Sequence, residues 1–252
     1  MNERANSTWQ LMASPKKRKR AIKFLGSIVP AIVRPIVAAA DHARHKPETA
    51  LRRELQERAT REAADVVQNE MPDALYCGTR FINLEYALTH RKPGLILEFG
   101  VAGGKSINHL ARLCQDERLY GFDSFQGLPE HWSGNRFSYR NFSQKGVMPS
   151  VPPNVELVPG WFNETLPGFL DKHSGPVGFL QVDCDIYSST QYVLAMLKQR
   201  LAPGCVIVFD EFFNYPGWRQ HEYRAFHEFI AETGRKHTFV SYSGQQAAVM
   251  LD

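Results

Sequence analysis

A chain of 252 residues, 43% hydrophobic and 22% charged, is long enough to bury a full core in one domain with an appendage. Its net charge of +4 is a composite, because residues 1–60 hold 13 Lys+Arg against 5 Asp+Glu while residues 61–252 hold 17 against 21. The basic excess belongs to the tail, and the mildly acidic body argues against a nucleic-acid groove. Cys77, Cys114, Cys184 and Cys205 show no CxxC spacing. They read as small buried hydrophobes of a reducing, cytoplasmic compartment rather than as disulfides or a zinc site.

Residues 1–46 form a basic and apolar tail. Five basic residues, Lys16 to Arg20, precede an apolar stretch broken by Lys23, Pro30, Arg34 and Pro35. The uncharged run from Phe24 to Val33 is too short to span a bilayer. A solubilising tail, a peripheral membrane contact through residues 15–40, a signal peptide and a nuclear-import patch all fit this pattern. From Pro47 to Glu70 helix formers carry an apolar stripe at Leu51, Leu55, Ala59 and Ala63, extended by Val66 and Val67, which predicts a surface or lid helix. A second helix is expected over Thr79–Thr89, so residues 47–92 read as a helical cap.

From residue 93 to 252 short apolar runs alternate with helical patterns. The predicted strands are Leu95–Gly100, Leu119–Asp123, Val155–Val158, Val177–Asp183, Val206–Asp210, Thr238–Tyr242 and Ala247–Leu251. Helices are expected from about Ser106, Ser189 and Trp218. The first buries Ile107, Leu110, Ala111 and Cys114, and the last buries Tyr223, Phe226 and Ile230. The "APG" at Ala202–Gly204 reads as the stop of the middle helix. The short connection "SGQQ" makes the last two strands an antiparallel hairpin. The implied fold is α/β: a Rossmann-like, seven-stranded, mostly parallel sheet with an antiparallel C-terminal hairpin and helices on both faces.

Ligands of such sheets lie at the carboxyl ends of the strands. Here those ends carry Glu98 and Gly100, then Asp123, then Asp183 and Asp185, then Asp210 and Glu211. The glycine-rich turn "GVAGGKS" fits neither phosphate motif. A triphosphate loop needs glycine at the position of Phe99, and the dinucleotide pattern needs its second glycine elsewhere. Glu98 would also repel a pyrophosphate. A cationic, phosphate-free ligand with a ribose suits the turn better, and S-adenosylmethionine is one. Glycines admit its backbone approach, and Asp123 is spaced to accept the ribose hydroxyls. The plain alternative for Gly103–Gly104 is a helix-packing turn.

The segments "LEFGVAGGKS", "YGFDSFQGLPE", "PGWFNETLP", "QVDCDIYSST" and "VIVFDEFFNYPGW" follow in order. Together they resemble the macrocin O-methyltransferase family, class I S-adenosylmethionine enzymes that methylate sugar hydroxyls of antibiotics, over roughly Cys77 to Asp252. The resemblance implies an O-methyltransferase of a small molecule, and it makes a homo-oligomer plausible. It implies cofactor contacts at Glu98, Gly100, Gly103 and Asp123, and the candidate cofactor set is completed by Gly104, Ser106, Ser124, Trp161 and Asp183. It implies a divalent metal, commonly magnesium, on Asp183, Asp210 and Glu211, and Asp185 as general base. The best-known sugar-modifying members have two adjacent aspartates where this chain has Asp210–Glu211.

The residues themselves bear on this. In an extended strand end Asp183 and Asp185 share a face, and two like charges there call for a cation or a proton. The plain alternative is that one of them caps the following helix, a role for which Ser188 or Ser189 is the better candidate. Trp161 and Phe162 stack on adenine, line an acceptor pocket, or belong to the core. His131 and His221 are alternative bases. The long insert His131–Asn154 reads as a lid. Two competing functions remain: a metal-independent methyltransferase, and a non-catalytic cofactor-binding protein held at a membrane by its tail.

Overall fold

The computed structural model describes residues 47–133 and 142–252. The readings made for the tail, residues 1–46, and for the centre of the insert, residues 134–141, lie outside the described residues. The chain divides into two units, residues 1–54 and 55–252. Of the first, only the opening turns of helix α1 (Pro47–Glu70) are described. The rest runs β1 (Leu75–Tyr76), α2 (Arg80–Leu88), β2 (Leu95–Phe99), α3 (Lys105–Leu113), β3 (Leu119–Asp123), β4 (Val155–Pro159), α4 (Phe162–Lys172), β5 (Val177–Val182), α5 (Tyr187–Leu197), β6 (Leu201–Phe209), a 3₁₀ turn (Trp218–Gln220), α6 (Glu222–Thr233), β7 (His237–Ser243) and β8 (Gln246–Leu251).

The eight strands lie in the order β1-β7-β8-β6-β5-β2-β3-β4. All pairings are parallel except β6 with β8 and β7 with β8. The seven expected strands and the terminal hairpin are all present. The eighth strand, β1, is two exposed residues with no apolar run to announce it.

Alternation along the strands sorts side chains between two cores. Leu97, Phe99, Phe122, Leu180, Val182, Ile207 and Phe209 pack with Leu166 and Phe169 of α4, Val193, Leu194 and Leu197 of α5, and Phe226 and Phe229 of α6. On the other face Ile96, Phe179, Val206, Val208 and Ala248 pack with Leu84 and Ala87 of α2 and Ile107, Leu110 and Ala111 of α3. Glu98 shares the parity of Ile96, which places its carboxylate on the face covered by α3. Helix α2 begins where expected, because the Thr79 hydroxyl accepts from Ile82 N at 3.3 Å.

Three local expectations change. Helix α4 is additional to the helices expected from the sequence; it forms with Pro167 inside it and buries Leu166 and Phe169. Ala202–Gly204 is no helix stop: α5 ends at Leu197, and "APG" lies inside β6. There it forms a bulge, since β5 advances from Val177 to Phe179 while β6 advances from Leu201 to Val206. In α1 the stripe is buried at Ala59, Ala63 and Val66, whereas Leu55 is exposed. No helix among the described residues is long and apolar enough to cross a membrane.

Candidate active site

Backbone crowding shapes the turn after β2. Gly100 has φ +96°, and a Cβ there would lie 1.6 Å from the carbonyl oxygen of Asp183. Gly100 N donates to Phe122 O at 2.9 Å and Asp183 N donates to Phe99 O at 2.8 Å, so this point ties β2 to both neighbours. Gly104, φ +76°, opens α3, while a Cβ on Gly103 would meet nothing within 4 Å. One side of the turn is therefore open.

Asp123 holds the turn in place. Its Oδ2 accepts from Val101 N at 2.9 Å and Ala102 N at 2.7 Å, and its Oδ1 accepts from Phe125 N at 2.6 Å. Each carboxylate oxygen offers about two acceptor positions. Oδ2 is thus filled by backbone, and Oδ1 keeps room for a further donor. Beneath the turn, Glu98 is 2% exposed. Its Oε1 accepts from the Ser106 hydroxyl at 2.9 Å, and its Oε2 is buried without a partner. Burial pushes the Glu98 carboxyl up to about 8 against the opposing effect of that hydrogen bond. The Ser124 hydroxyl is used locally, accepting from Gln126 N and donating to Gly127 O. Trp161 is half-buried and immediately precedes α4.

The second half of the site follows β5 and β6. Ligating oxygens of Asp183, Asp185 and Glu211 lie within 4.8 Å of one another. Asp185 adopts φ +63°, an uncommon conformation for a residue other than glycine, and is 7% exposed. Helix α5 has no side-chain cap; Ile186 precedes it, and the Ser188 hydroxyl donates to Glu130 at 2.6 Å instead. Neither aspartate is spent on capping, nor is serine. Burial, then the neighbouring charge of Asp210, raises the carboxyls of Asp183 and Glu211 well above the usual range and that of Asp185 to about 7. Glu211 Oε2 is buried with no partner.

Asp210 stands apart from this trio. Its Oδ1 receives Arg80 Nη2 at 3.1 Å and also Gln246 Nε2. Arg80 Nη2 reaches Asp183 Oδ2 at 3.1 Å as well. Gln246 Oε1 in turn accepts from Asn83 Nδ2 at 3.2 Å. Glu211 N donates to the fully buried Glu222 at 2.9 Å. Of the expected metal set, Asp183 and Glu211 lie in the trio with Asp185, and Asp210 is the neighbouring charge, its Oδ1 meeting two donors. Sequence reasoning missed Arg80, Asn83, Glu222 and Gln246. None has a motif; Arg80, Asn83 and Gln246 reach the site from elements distant in sequence, while Glu222 lies eleven residues after Glu211.

His131 is exposed. His221 is 3% exposed, with Nε2 at 2.9 Å from Ser133 O. A carbonyl only accepts, so Nε2 carries a proton, and burial lowers the pKa against the opposing effects of that hydrogen bond and of Glu130. His221, with Glu130, Ile186, Tyr187 and Arg224, lines a cavity of ≈ 240 Å³ that opens beside the residue following Asp185.

An open glycine turn after β2, an acid ending β3 and carboxylates beyond β5 and β6 lie at the carboxyl ends of parallel strands. Residues 97–212 match the methyltransferase domain family. The chain is 30% identical over 162 residues to an 8-demethyl-8-(2,3-dimethoxy-alpha-L-rhamnosyl)-tetracenomycin-C 4'-O-methyltransferase of Streptomyces olivaceus, covering 53% of this chain and 60% of that protein. It is 27% identical over 172 residues to a demethyldecarbamoylnovobiocin O-methyltransferase of Streptomyces niveus, covering 56% and 62%. The chain thus spans less than two thirds of the length of either curated relative. Among solved structures, the calicheamicin methyltransferase CalS11 aligns with a TM-score of 0.56 at 22% identity, over 81% of this chain and 93% of that one. The O-methyltransferase NovP aligns with a TM-score of 0.51 at 20% identity, over 68% and 78%. These two likenesses concern the fold.

Proposed function

We propose that the chain is an S-adenosylmethionine-dependent O-methyltransferase whose acceptor is a hydroxyl of a small glycosylated molecule, with residues 93–252 forming the cofactor-binding domain. The observation that carries the reading is the pairing of an open glycine turn above the buried Glu98 with a carboxylate trio beyond the ends of β5 and β6. Asp123 Oδ1 supplies an acceptor for a ligand bearing a ribose diol. The open face at Gly103 admits that ligand against backbone.

The trio Asp183, Asp185 and Glu211 suits a hard divalent cation such as magnesium, because its donors are all carboxylate oxygens and one is buried and unpaired. Bound there, such an ion would supply Lewis acidity that lowers the acceptor hydroxyl's pKa. Asp185 is the residue proposed to take the hydroxyl proton as the oxygen receives the methyl group. With no ion in the trio, burial and the neighbouring Asp210 charge raise its carboxyl to about 7, close to neutral pH, where a general base works best. The relatives named for rhamnosyl tetracenomycin and novobiocin precursors support a glycosylated acceptor.

Calorimetric titration with S-adenosylhomocysteine, with and without magnesium and with ATP and NAD as controls, tests the reading. Binding of S-adenosylhomocysteine alone, lost in Asp123→Ala, is expected. A folded protein that binds none of the three sinks it. Chelator then separates ion-assisted from ion-independent transfer.

A further inference from the structure

We propose that Glu222 is a positioning residue: it takes over where the β5–β6 ladder ends and holds the two acid-bearing turns at the spacing a divalent cation needs. The inference rests on the ion-assisted reading above. Strands β5 and β6 stay paired up to Val182 and Phe209, and Asp210 N still donates to Val182 O at 2.9 Å. One residue on, Glu211 N has left the ladder. A backbone amide withdrawn from water needs another acceptor, and this one donates to Glu222 Oε2 at 2.9 Å. Burial, then the Asp210 charge, raises the Glu222 carboxyl, while the backbone amides of Glu211 and Cys184 oppose the rise. Cys184 lies between Asp183 and Asp185, so one side chain faces both turns.

Glu222 belongs to neither turn. It is the first residue of α6, fully buried, and the same helix buries Ala225, Phe226 and Phe229 in the core on the sheet face opposite α2 and α3. An acid in a first turn ordinarily complements the helix dipole, which an exposed carboxylate does as well. Burying one is costly unless it is hydrogen-bonded, and here Oε1 makes no hydrogen bond. What Oε2 holds accounts for the burial: it is the amide of a residue whose own carboxylate joins the trio. The oxygens of Asp183, Asp185 and Glu211 stay within 4.8 Å of one another only while the turns after β5 and β6 keep their separation. Without its acceptor the Glu211 backbone is released, and ion affinity depends on ligands held by such outer partners.

Magnesium and S-adenosylhomocysteine are titrated calorimetrically, in separate runs, into the full chain as wild type, Glu222→Gln, Glu222→Met and Glu222→Asp, with circular dichroism to confirm folding. Gln keeps an oxygen acceptor at the same reach without the charge. Met keeps the reach without the oxygen, and Asp keeps the charge but withdraws it by one methylene. Glu222→Met and Glu222→Asp are expected to bind magnesium about 10–100-fold more weakly than wild type, with S-adenosylhomocysteine affinity unchanged. Glu222→Gln is expected to retain magnesium affinity. Hydrogen exchange at the Glu211 amide, read by NMR, should quicken in the Met and Asp variants and not in Gln. Wild-type magnesium affinity in folded Glu222→Met overturns the proposal, and Glu222→Asp decides it should the Met variant fail to fold. Equal loss in Glu222→Gln also overturns it, by making charge rather than the hydrogen bond the cause. So does a parallel loss of both ligands, the mark of a merely structural residue. A wild type that binds S-adenosylhomocysteine but no magnesium overturns the proposal together with the ion-assisted reading and leaves the methyltransferase reading standing.

Discussion

Replacing Gly100 by alanine puts a methyl group 1.6 Å from the Asp183 carbonyl oxygen. Non-bonded heavy atoms rest at about 3.5 Å, so the ends of β2 and β5 must part by well over an ångström. The obstacle is backbone, with no side chain to rotate away. Parting the strands strains or breaks the bonds from Asp183 N to Phe99 O and from Gly100 N to Phe122 O. Each buried group left unpaired costs about 1–3 kcal/mol. The φ of +96° adds roughly 1–2 kcal/mol for any residue with a Cβ. The total is at least about 4 kcal/mol, a large share of the ~5–15 kcal/mol that holds a domain together. For a domain of this size that corresponds to a fall of roughly 8–16 °C in Tm. Urea unfolding followed by tryptophan fluorescence is the assay. Gly103→Ala is the matched control: its Cβ meets nothing within 4 Å, so stability should change by less than about 1 kcal/mol. A Gly100→Ala protein as stable as wild type would refute the claim that this glycine exists for the strand contact.

Four further expectations follow from named groups. Glu98 keeps its proton up to about pH 8 in the folded chain, so between the ordinary carboxyl range and pH 8 the folded state binds more protons than the unfolded one. Stability attributable to this group therefore falls as pH rises, by up to about 1.4 kcal/mol for each pH unit, and Glu98→Gln should show the shallower decline in urea midpoint between pH 5 and 8.5. A steeper decline in the variant would contradict the assignment. Asn83→Ala leaves Gln246 Oε1 buried without its donor and should cost about 1–3 kcal/mol in thermal unfolding; no change would mean that water replaces the amide. All four cysteines are buried, and burial raises their thiol pKa values. A chromogenic disulfide reagent should consequently titrate them slowly in the native protein and rapidly in denaturant, and prompt reaction of even one native thiol would show that the packing around it is wrong. Asp123→Ala removes acceptors from three turn amides and should lower stability as well as cofactor affinity. Unchanged stability would show that the turn holds without it.

What could be read from residues alone was what depends on local pattern. Apolar runs such as Val177–Val182 and the stripe through Ile107, Leu110 and Ala111 declared β5 and α3, because burial on a sheet or helix face imposes a period. Acids just beyond apolar strands marked the site for the same reason: an ionised group is too costly to sit there without a use. Ala202–Gly204 misled, since a turn signal weighs little where a bulge takes up the slack.

The acid pair shows how a local rule reaches a sound grouping by the wrong route. Strand alternation places Asp183 and Asp185 on one face, yet β5 has already ended at Val182. The two carboxylates converge because the chain turns sharply, with Asp185 at φ +63° and Ile186 N bonded to Cys184 O at 2.7 Å. Such strain persists only where surrounding structure enforces it, and it is concentrated at functional sites. The same turn brings Asp185 into the trio with Asp183 and Glu211. Arg80, 103 residues before Asp183 in the chain, meets both Asp183 and Asp210. No periodicity or spacing spans that distance; the contact exists because α2 packs beside α3 on the face that also buries Glu98. The placement of Arg80 beside Asp183 and Asp210 is thus fixed by helix packing rather than by any local pattern.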